Sequence, residues 1–428
     1  MSTQNKSFQS PRGTHDILPS QISEWRFVEE AFREVCARYN YSEIRTPLFE
    51  ATELFARTVG ESSDVMVTKQ MYTFTAPDEQ SYTLRPEGTA SVVRAYLEHH
   101  LSQAGPVAKL FYIYPIFRYE APQAGRYRQH HQCGIEMLGA SGPEADAAVL
   151  TLANDFLKVL GIEPQLHINS LGTKESRSGY IQKLREYLEP QRAELSEDSQ
   201  KRLELNPLRV FDSKDERDRR VLEQAPRLLP YLQENDLESS EHFTRLCQYL
   251  DDLKIAYEID HNLVRGFDYY SRTAFEFVSS NLGAQSTVLG GGRYDGLVEE
   301  LGGPPTPGIG FGSGIERLLL EREAVGATAS AAPSLTAFVV TLGDEARAAG
   351  VALLHELREA GIRCDSDFVG RSLKAQMREA NRQAARYTLL LGSDELAQGV
   401  LALKDMTTST QETLPRQAVI ERLQAEQK

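Results

Sequence analysis

The sequence predicts two folded parts: an α+β domain built on an antiparallel sheet with a helical insertion, and a smaller α/β domain after it. Segments rich in β-branched and aromatic residues dominate the first part, and helices do not alternate with them regularly. From about residue 173 to 257 they give way to charged, helix-favouring sequence such as KLREYLEPQRAELSEDSQKRLEL. After residue 333 the pattern becomes β-α-β-α-β, which is typical of a mostly parallel sheet.

The first part, residues 1–325, contains the elements of the antiparallel sheet. Helical spacing of apolar residues predicts a helix from Ser20, as its cap, to about Tyr39. The strand YSEIRT follows and stops at Pro47, which has no N–H to donate to a sheet. A second helix, SVVRAYLEHH, separates two strands, and a glycine-rich turn leads into a third, SGIERLLLERE. The remaining predicted strands are QSYTLRP, KLFYIYPIFRYE, HHQCGIEMLG, RTAFEFV and STVLGG.

The second part follows a predicted linker. Residues 323–333, EAVGATASAAP, are small, nearly uncharged and without periodicity. The α/β domain then occupies residues 334–428. One of its predicted helices places five cations within about a third of its circumference, which indicates either a solvated helix face or a surface for an anionic partner. These cations are Arg371, Lys374, Arg378, Arg382 and Arg386.

Composition excludes several classes of protein. Of the 428 residues 41% are hydrophobic and 25% charged, as in an ordinary globular protein. A net charge of −14 argues against a protein that coats nucleic acid nonspecifically. No apolar run approaches the roughly 18 residues that span a bilayer, and the polar N-terminus lacks the apolar stretch of a secretory signal. We therefore expect no membrane partner and a cytoplasmic location.

The four cysteines predict neither a disulfide framework nor a protein-bound metal. Cys36, Cys133, Cys247 and Cys364 lie far apart and follow no zinc-binding spacing. We expect reduced, mostly buried thiols, as in a cytoplasmic protein.

The segment HHQCGIEMLG carries the first candidate for a binding site. Side chains alternate along a strand, so Gln132, Gly134 and Glu136 share one face while Cys133 and Ile135 share the other. Two polar groups beside a glycine form a surface that a ligand can approach closely. The alternative is the solvent-facing side of a half-exposed sheet.

Two further segments offer charged groups for a ligand. In IFRYE, Arg118 and Glu120 share a strand face, and the loop after them carries Arg126 and Arg128, which could grip a triphosphate or an RNA end. In TLRPEGT, Glu87 and Thr89 lie between a strand and a helix predicted to begin near Ser91. Glu87 could hold an ammonium group or cap the helix. The alternative for the hairpin is an ordinary surface turn.

The segment LVRGFDYY is hard to explain by structure alone. Arg265 next to Gly266 suits close approach to an anionic group, and Tyr269 and Tyr270 point in different directions. Downstream, GGGRYDGL and GGPPTPGIGFGSGIERLLL combine glycine-rich turns with Tyr294 and Arg317. Neither matches GxGxxG in a βαβ unit, and the chain has no GxxxxGK[ST] loop. If ATP binds, arginines on the sheet must replace a phosphate loop.

Together these segments resemble the class II aminoacyl-tRNA synthetases, and specifically the histidyl-tRNA synthetase family. The helix, strand and Pro47 resemble the first class motif, which builds a dimer interface. FRYE with the strand ending at Glu136 resembles the second, and GIGFGSGIERLLL the third. Family-specific similarity lies in RGTHD, TLRPEGTA, GRYRQHHQ, LVRGFDYY and GGGRYDGLVEELGG, and GRSLKAQMREA and ALKDM extend it to the second part.

The resemblance implies a class II catalytic domain, a helical insertion over the tRNA acceptor arm and a C-terminal anticodon-binding domain. It implies activation of L-histidine by ATP with Mg²⁺, transfer to histidine tRNA, and a homodimer. The catalytic residues would be Arg265, Arg118 and Arg317. ATP would bind to Arg118, Glu120, Arg126 and Arg317. Histidine would bind to Glu87, Gly88, Thr89, Gln132, Glu136, Arg265, Tyr269, Tyr270 and Tyr294.

Within these sets the family assigns separate tasks. Arg118 and Arg317 would hold the α- and γ-phosphates of ATP, and Arg265 would contact the α-phosphate during attack. Glu120 and Arg126 would contact the adenine side and the bent triphosphate. The α-amino group would bind to Glu87, Thr89 and Gln132, and the imidazole nitrogens to Glu136 and Tyr270, with Tyr269 and Tyr294 lining the pocket. Tyr119 and Ala121 depart from the usual second motif, FRHERPQ, and Phe267 replaces the usual leucine.

Two other functions compete with this interpretation. A synthetase-like regulatory subunit of ATP phosphoribosyltransferase shares the catalytic fold, but such relatives generally lack the anticodon-binding domain and have a degraded arginine-tyrosine loop. Both features are intact here. A sensor of uncharged tRNA would usually carry a fused kinase or other domain, for which this chain has no room.

Overall fold

The computed structural model describes residues 8–59, 70–121, 125–264, 269–283, 286–327 and 335–426. The chain divides into two compact units, Met1–Ala329 and Ser330–Lys428. No helix in the described ranges is both long and apolar enough to cross a membrane.

An eight-stranded sheet organises the first unit. Its strands lie in the order β1 (Ser42–Glu43), β5 (Ala108–Phe117), β6 (Gln129–Leu138), β11 (Gly308–Gly314), β10 (Thr287–Arg293), β9 (Ser271–Val278), β7 (Gln165–Ser170) and β8 (Glu258–Ile259). All pairings are antiparallel except the two at the edges, β1 with β5 and β7 with β8.

One face of this sheet is covered by helices. The main core joins Phe32 of the first helix and Phe156 of the fourth to Ile135 and Phe311 of the sheet, all at most 3% exposed. Because one face is sealed by this core, a ligand can reach the sheet only from the other. The helices of this part are α1 (Ile22–Arg38), α2 (Thr52–Val59), α3 (Thr89–Glu98), α4 (Pro143–Val159), α10 (Leu297–Glu300) and α11 (Ile315–Ala324).

A helical segment separates β7 from β8. Its first four helices pack in a second core that also contains Tyr269, Tyr270 and Tyr294. Its last helix packs into the main core instead, through Phe243 and Leu246. The helices are α5 (Lys174–Leu188), α6 (Glu197–Leu205), α7 (Glu216–Glu223), α8 (Leu228–Asn235) and α9 (Leu237–Asp252), with 3₁₀ turns at Glu189–Glu194 and Pro207–Asp212.

A small second sheet takes one strand that was predicted for the large one. The segment QSYTLRP forms β4 (Ser81–Leu84), which lies between β2 (Phe49–Ala51) and β3 (Tyr72–Thr75) in an antiparallel sheet. Strand propensity alone carries no information on which sheet a segment joins.

Several predicted boundaries are wrong. The first helix begins at Ile22 after Gln21, without a side-chain cap, so Ser20 does not cap it. The helix after Glu87 begins at Thr89 rather than Ser91. Strand β5 ends at Phe117, and Arg118 therefore follows the strand. The glycine-rich segment GIGFGSG is strand β11 and not a turn. Its pairing with β6 and β10 on either side holds it extended, although glycine has a low propensity for strands.

The second unit contains a five-stranded sheet in the order β13-β12-β14-β15-β16. The first three strands are parallel, as predicted, but β15 and β16 add two antiparallel pairings that were not predicted. The predicted fold class is confirmed for both parts. The elements are β12 (Ala337–Thr341), α12 (Asp344–Glu359), β13 (Cys364–Ser366), α13 (Leu373–Arg382), β14 (Tyr387–Leu391), α14 (Ser393–Gln398), β15 (Val400–Asp405), β16 (Gln411–Pro415) and α15 (Arg416–Ala425).

The basic helix of the second unit is shorter than predicted. Helix α13 spans Leu373–Arg382, so Arg371 precedes it and Arg386 follows it. Ala384 adopts a left-handed conformation, φ 51°, that ends the helical path. The predicted stripe of five cations is therefore reduced to three on the helix itself.

A buried charge network anchors the large sheet to the helices behind it. The Asp146 carboxylate of α4 accepts hydrogen bonds from Arg293 Nε, at 3.0 Å, and from Thr273 Oγ1, and it lies 2.7 Å from His242 Nε2 of α9. Asp146 and Arg293 are fully buried. Burial raises the pKa of Asp146, but Arg293 and His242 outweigh burial, so the pKa is lowered overall. The network fixes the end of β10 against two helices.

We expect Asp146→Asn to lower the free energy of unfolding by about 3–5 kcal/mol at neutral pH. The buried Arg293 charge loses its buried counter-ion and keeps only Asp295, at 3.0 Å, whose side chain is partly exposed. The Asp146 pKa is depressed, so its contribution is present above its ordinary pKa of 3.8 and is lost as the pH falls below it. Urea titration at several pH values measures this. Asp155→Asn on the same helix removes a partly buried bond from Tyr39 and should cost only about 1 kcal/mol. Equal losses for both variants would contradict a special role for the network.

Candidate active site

The open face of the large sheet carries a cavity of about 450 Å³. Most residues predicted for the site line it, and they come from strands, loops and the first turns of two helices. Gly88 and Glu136 are not among the lining residues. Glu136 is hydrogen-bonded to two residues that are, Thr89 and Tyr294. The predicted residues that line the cavity are Glu87, Thr89, Arg118, Glu120, Arg126, Gln132, Tyr269, Tyr270, Tyr294 and Arg317.

Glycines at the centre of the sheet make room for the cavity. In the strand register Gly312 lies opposite both Gly134 and Gly290, and Gly310 lies opposite both Glu136 and Gly292. We call the set Gly134, Gly290, Gly292, Gly310 and Gly312 the glycine floor. A Cβ atom at Gly310 would collide with the Glu136 carboxylate, and one at Gly312 with the Gln132 amide. The absence of side chains therefore lets these two polar groups lie flat across the sheet.

One end of the cavity is acidic. Glu136 is 1% exposed and accepts hydrogen bonds from Thr89 Oγ1, at 2.7 Å, and from the Tyr294 hydroxyl. Burial raises the pKa of Glu136 to about 8, although these hydrogen bonds oppose the rise. Glu87 accepts hydrogen bonds from the backbone N–H groups of Thr89, at 2.7 Å, and Ala90, at 2.8 Å, so it caps α3. Two carboxylates thus lie where a cationic or hydrogen-bond-donating ligand group would find partners.

Aromatic rings enclose the acidic end. Tyr112 and Tyr114 stack with their centroids 4.3 Å apart on the same sheet face as the glycine floor. The Tyr112 hydroxyl accepts a hydrogen bond from Gln132 Nε2 at 3.1 Å. On the other side Tyr269 lies 4.8 Å from Tyr270 and 5.9 Å from Tyr294, centroid to centroid. Tyr269, Tyr270 and Tyr294 thus line the cavity at this end, and Tyr112 holds the amide of the lining residue Gln132.

The other end of the cavity is basic. Arg118 donates from Nε to the Pro86 carbonyl at 2.6 Å, and Arg317 donates to the carbonyls of Gly125, at 3.1 Å, and Thr287, at 2.9 Å. Backbone carbonyls therefore fix the planes of both guanidinium groups, which stand ready for an anion.

Glu120 is the acidic residue among these arginines. It lies 2.5 Å from Arg126 Nε and 4.0 Å from Arg118 Nη1. The pKa of Arg317 is lowered by burial and by Arg126 and Arg118, although Glu120 raises it. The end of the cavity with Arg118, Arg126 and Arg317 keeps a surplus of positive charge, which suits a polyanion.

Arg265 lies outside the described residues, as do Gly266, Phe267 and Asp268. The described residues on either side, Val264 and Tyr269, both line the cavity.

Some lining residues were not predicted. Glu276 shares a sheet face with Gly290, its partner in the register, and strand alternation in RTAFEFV could have identified it. Arg209 and Asp212 come from the helical segment, where no local pattern marks them. His130 also lines the cavity; burial and the nearby Arg118 and Arg317 lower its pKa to about 3, so its ring is neutral.

The unusual Tyr119 has a partner. The Arg128 guanidinium lies 3.9 Å from the centre of the Tyr119 ring, and Tyr72 contacts the same ring edge-on at 5.6 Å. The departure from the usual motif thus creates an aromatic-cation contact beside the loop that carries Arg126.

Comparison with known proteins identifies the family. A family model described as histidyl-tRNA synthetase matches residues 13–318, and one described as an anticodon binding domain matches residues 336–426. The chain belongs to the histidyl-tRNA synthetase family. The resemblance inferred from the motifs is thereby confirmed.

Similarity to individual proteins extends over the whole chain. It is 49% identical to a histidine–tRNA ligase of Bacillus licheniformis over 95% of this chain and 96% of that protein, and 48% identical to one of Bacillus subtilis over 98% and 99%. The crystal structure of apo histidyl-tRNA synthetase from S. aureus superposes with a TM-score of 0.82, at 41% identity, over 98% of this chain and 100% of that one.

A protein named as an ATP phosphoribosyltransferase regulatory subunit/histidyl-tRNA synthetase, from Bacillus halodurans, is also similar in structure. Its TM-score is 0.64 at 21% identity, over 90% of this chain and 98% of that one. At that identity the likeness shows the shared fold alone and does not favour the regulatory function.

Proposed function

We propose that the chain is a histidine–tRNA ligase, which activates L-histidine with ATP to histidyl-adenylate and transfers it to the 3′-terminal adenosine of histidine tRNA. The observation that carries the proposal is one cavity with an acidic, aromatic-walled end beside a basic end. An amino acid with an imidazole side chain fits the first, and a triphosphate fits the second.

At the acidic end we assign the groups of histidine to the residues around Glu136. Neutral imidazole has one donor and one acceptor nitrogen, so Glu136 and Tyr270 can satisfy both. The α-ammonium group would bind to Glu87, Thr89 and Gln132. These assignments are supported by the burial of both carboxylates and by the bond from Thr89 to Glu136. Tyr269, Tyr294 and Gly88 would complete the pocket.

At the basic end we assign the phosphates of ATP to the arginines. Arg118 and Arg317 would hold the α- and γ-phosphates, and Arg126 with Glu120 would contact the bent triphosphate and the adenine side. We assign Arg265 to the α-phosphate, and this assignment is supported by its described neighbour Val264, which lines the cavity.

ATP is proposed to bind with Mg²⁺. Among the described residues no cluster of three or more His, Cys, Asp or Glu side chains could hold a metal alone. Glu276 lines the cavity, and Mg²⁺ suits a site with one carboxylate, water and phosphate oxygens. When bound there, the ion would neutralise part of the phosphate charge.

The reaction needs positioning and charge stabilisation more than a covalent nucleophile. When the histidine carboxylate attacks the α-phosphorus, negative charge grows on the phosphate oxygens and on the leaving pyrophosphate. Guanidinium groups already fixed by backbone carbonyls stabilise that charge without reorganising.

The test is ATP–pyrophosphate exchange with each of the twenty amino acids, followed by charging of histidine tRNA. We expect exchange with histidine alone, because a site that hydrogen-bonds both imidazole nitrogens rejects an isostere that leaves them unpaired by about 10⁴-fold. A regulatory subunit would bind histidine without exchange, and this result would refute the proposal.

We also propose a homodimer. Leu48, Phe49 and Phe74 are each more than 40% exposed, and the Phe49 ring lies 5.8 Å from Phe74 in the small sheet. An exposed apolar cluster of this kind is typical of an interface. We expect wild-type protein to have the mass of a dimer in light scattering, and Phe49→Glu to shift it towards monomer. The matched control is Val159→Glu, at a side chain 41% exposed on α4, which should remain dimeric.

A cytoplasmic location is proposed as well. It is supported by the four cysteines, which are all free thiols, and three of which are buried.

A further inference from the structure

We propose that residues 367–372, between β13 and α13, form a platform on which an unpaired base of the tRNA stacks, with Phe368 as the stacking side chain. The proposal rests on the proposed function, since it names the part of the second unit that holds the tRNA. We call this segment the Phe368 loop.

The Phe368 loop exposes apolar side chains that the fold does not use. Phe368 is 73% exposed and Val369 79% exposed, and Leu373 at the start of α13 is 39% exposed. None of the three belongs to the cores of the second unit. A large aromatic ring held in solvent has an unfavourable contact with water that a partner would remove.

The loop is nevertheless fixed in place by polar groups. Asp367, only 5% exposed, accepts hydrogen bonds from the backbone N–H and the Nε of Arg371, both at 2.6 Å. Gln376 donates to the carbonyls of Arg371, at 2.8 Å, and Thr341, at 2.9 Å, and accepts from the Thr341 N–H at 3.0 Å. The bonds between Asp367 and Arg371 join the two ends of the loop to each other, and Gln376 ties the second end to α13 and α13 to β12. A partner of Phe368 thus meets a surface that is already ordered, which lowers the entropic cost of binding.

The neighbouring cations differ in whether an acidic side chain already pairs with them. Glu379 binds Arg371, at 3.4 Å, and Arg382, so these two are partly neutralised, and Arg386 pairs with Asp405 at 3.1 Å. In the part of the chain that the structure describes, Lys374 and Arg378 have no acidic partner and are exposed. They are four residues apart in α13, and so lie on one helix face.

An exposed ring next to unpaired cations matches the chemistry of single-stranded nucleic acid. Bases stack on aromatic side chains, and phosphates pair with lysine and arginine. A purely apolar partner surface would contact the apolar tip and leave Lys374 and Arg378 unpaired. The loop lies inside residues 336–426, which match the anticodon binding domain, and the unpaired bases of an anticodon loop are the occupant to which we commit.

The experiment compares charging of full-length histidine tRNA with charging of a minihelix that carries only the acceptor stem. We expect Phe368→Ala to lower kcat/KM for the full tRNA by about 5- to 100-fold, chiefly through KM, because one stacking contact is lost. Charging of the minihelix and tRNA-free ATP–pyrophosphate exchange should be unchanged. Phe368→Tyr keeps a stacking ring and should stay within about 3-fold of wild type.

The matched control is Val351→Ala, which removes an exposed apolar side chain, 66% exposed, from α12 of the same unit. It should leave charging unchanged. The salt dependence supplies a second readout: Lys374→Gln and Arg378→Gln should each lower the slope of log affinity against log salt by about 1, whereas Arg382→Gln should lower it less.

Three results would overturn the proposal. The first is an unchanged kcat/KM of Phe368→Ala for full tRNA. The second is an equal loss with the minihelix, which would mean a defect away from the anticodon. The third is a Phe368→Ala variant whose mass in light scattering differs from that of wild-type protein, which would assign the loop to a protein interface. Failure of the proposed function is distinct from all three, because wild-type protein would then show no histidine-dependent exchange.

Discussion

Glu136→Gln should lower histidine-dependent ATP–pyrophosphate exchange by about 100- to 1000-fold while making the protein more stable at alkaline pH. The loss of activity follows from replacing a buried carboxyl group at the acidic end of the cavity by an amide. The carboxyl group can pass its proton to the imidazole of histidine and form a charge-assisted hydrogen bond with it, whereas the amide cannot. Thr89 and Tyr294 donate to different oxygens of the carboxylate. In the amide one of them still donates to the oxygen, and the other hydroxyl can accept from the NH2 group, so the local fold keeps its hydrogen bonds.

The gain in stability follows from the raised pKa of Glu136, about 8 against an ordinary value of 4.5. Between these values the unfolded chain releases the proton while the folded chain keeps it. Stability from this group is therefore complete below about pH 4.5 and is lost as the pH rises through 8. Glutamine cannot ionise, so the variant should exceed wild type by roughly 2–4 kcal/mol near pH 8 and differ little near pH 4.5.

A variant that loses activity but gains stability distinguishes a functional carboxylate from a structural one. Activity is measured by exchange at saturating ATP, and stability by urea unfolding at both pH values. Glu321→Gln is the control, because Glu321 is 2% exposed and accepts bonds from Ser279 and Asn281 outside the cavity. Its exchange activity should be unchanged. A Glu136 variant that loses both activity and stability at pH 8 would show that the carboxylate holds the fold.

Arg118→Ala should lower the kcat of exchange by about 10²- to 10³-fold, because a preorganised donor to the growing phosphate charge is removed. Histidine binding without ATP, measured by calorimetry, should remain within a few-fold of wild type, since the acidic end is unaltered. Arg118→Lys keeps the charge but not the planar fork, and should recover only part of the rate.

The control for Arg118 is Arg33→Ala, on α1. Its side chain is 37% exposed, against 31% for Arg118, and lies 3.5 Å from Glu29 outside the cavity. Little effect on exchange is expected there, as for a surface ion pair. If Arg118→Ala weakened histidine binding as strongly as it slowed exchange, Arg118 would belong to the amino-acid pocket and not to the phosphates.

Strand alternation predicted the central part of the site correctly. In HHQCGIEMLG it placed Gln132 and Glu136 on one face and Cys133 and Ile135 on the other. The structure shows Gln132 lining the cavity, Glu136 bonded to the lining residue Thr89, and the second pair in the core. Alternate side chains of a strand point to opposite faces of the sheet, and here helices cover one of these faces. The alternation of polar and apolar residues therefore predicts which side chains are buried, without knowledge of the neighbouring strands.

Other parts of the site depend on contacts between distant segments. Glycine has low strand propensity, and nothing local in GIGFGSG shows that β6 and β10 lie on either side of it. Arg209 and Asp212 reach the cavity only because the helical segment packs beside it. The cations near α13 could be counted from the sequence, but their pairing with Glu379 and Asp405 could not.

The glycine floor also has a thermodynamic consequence. Glycine in the interior of a strand is less favourable than alanine by about 0.5–1 kcal/mol, because it loses more conformational entropy on folding. Relative to alanine, the five residues of the floor together weaken the fold by roughly 2.5–5 kcal/mol, a large part of the 5–15 kcal/mol by which a typical domain is stable. At four of these positions a side chain is excluded by the room that a neighbouring residue already occupies: Tyr112 at Gly134, Tyr270 at Gly292, Glu136 at Gly310 and Gln132 at Gly312. The core behind the sheet must supply the stability that the floor does not.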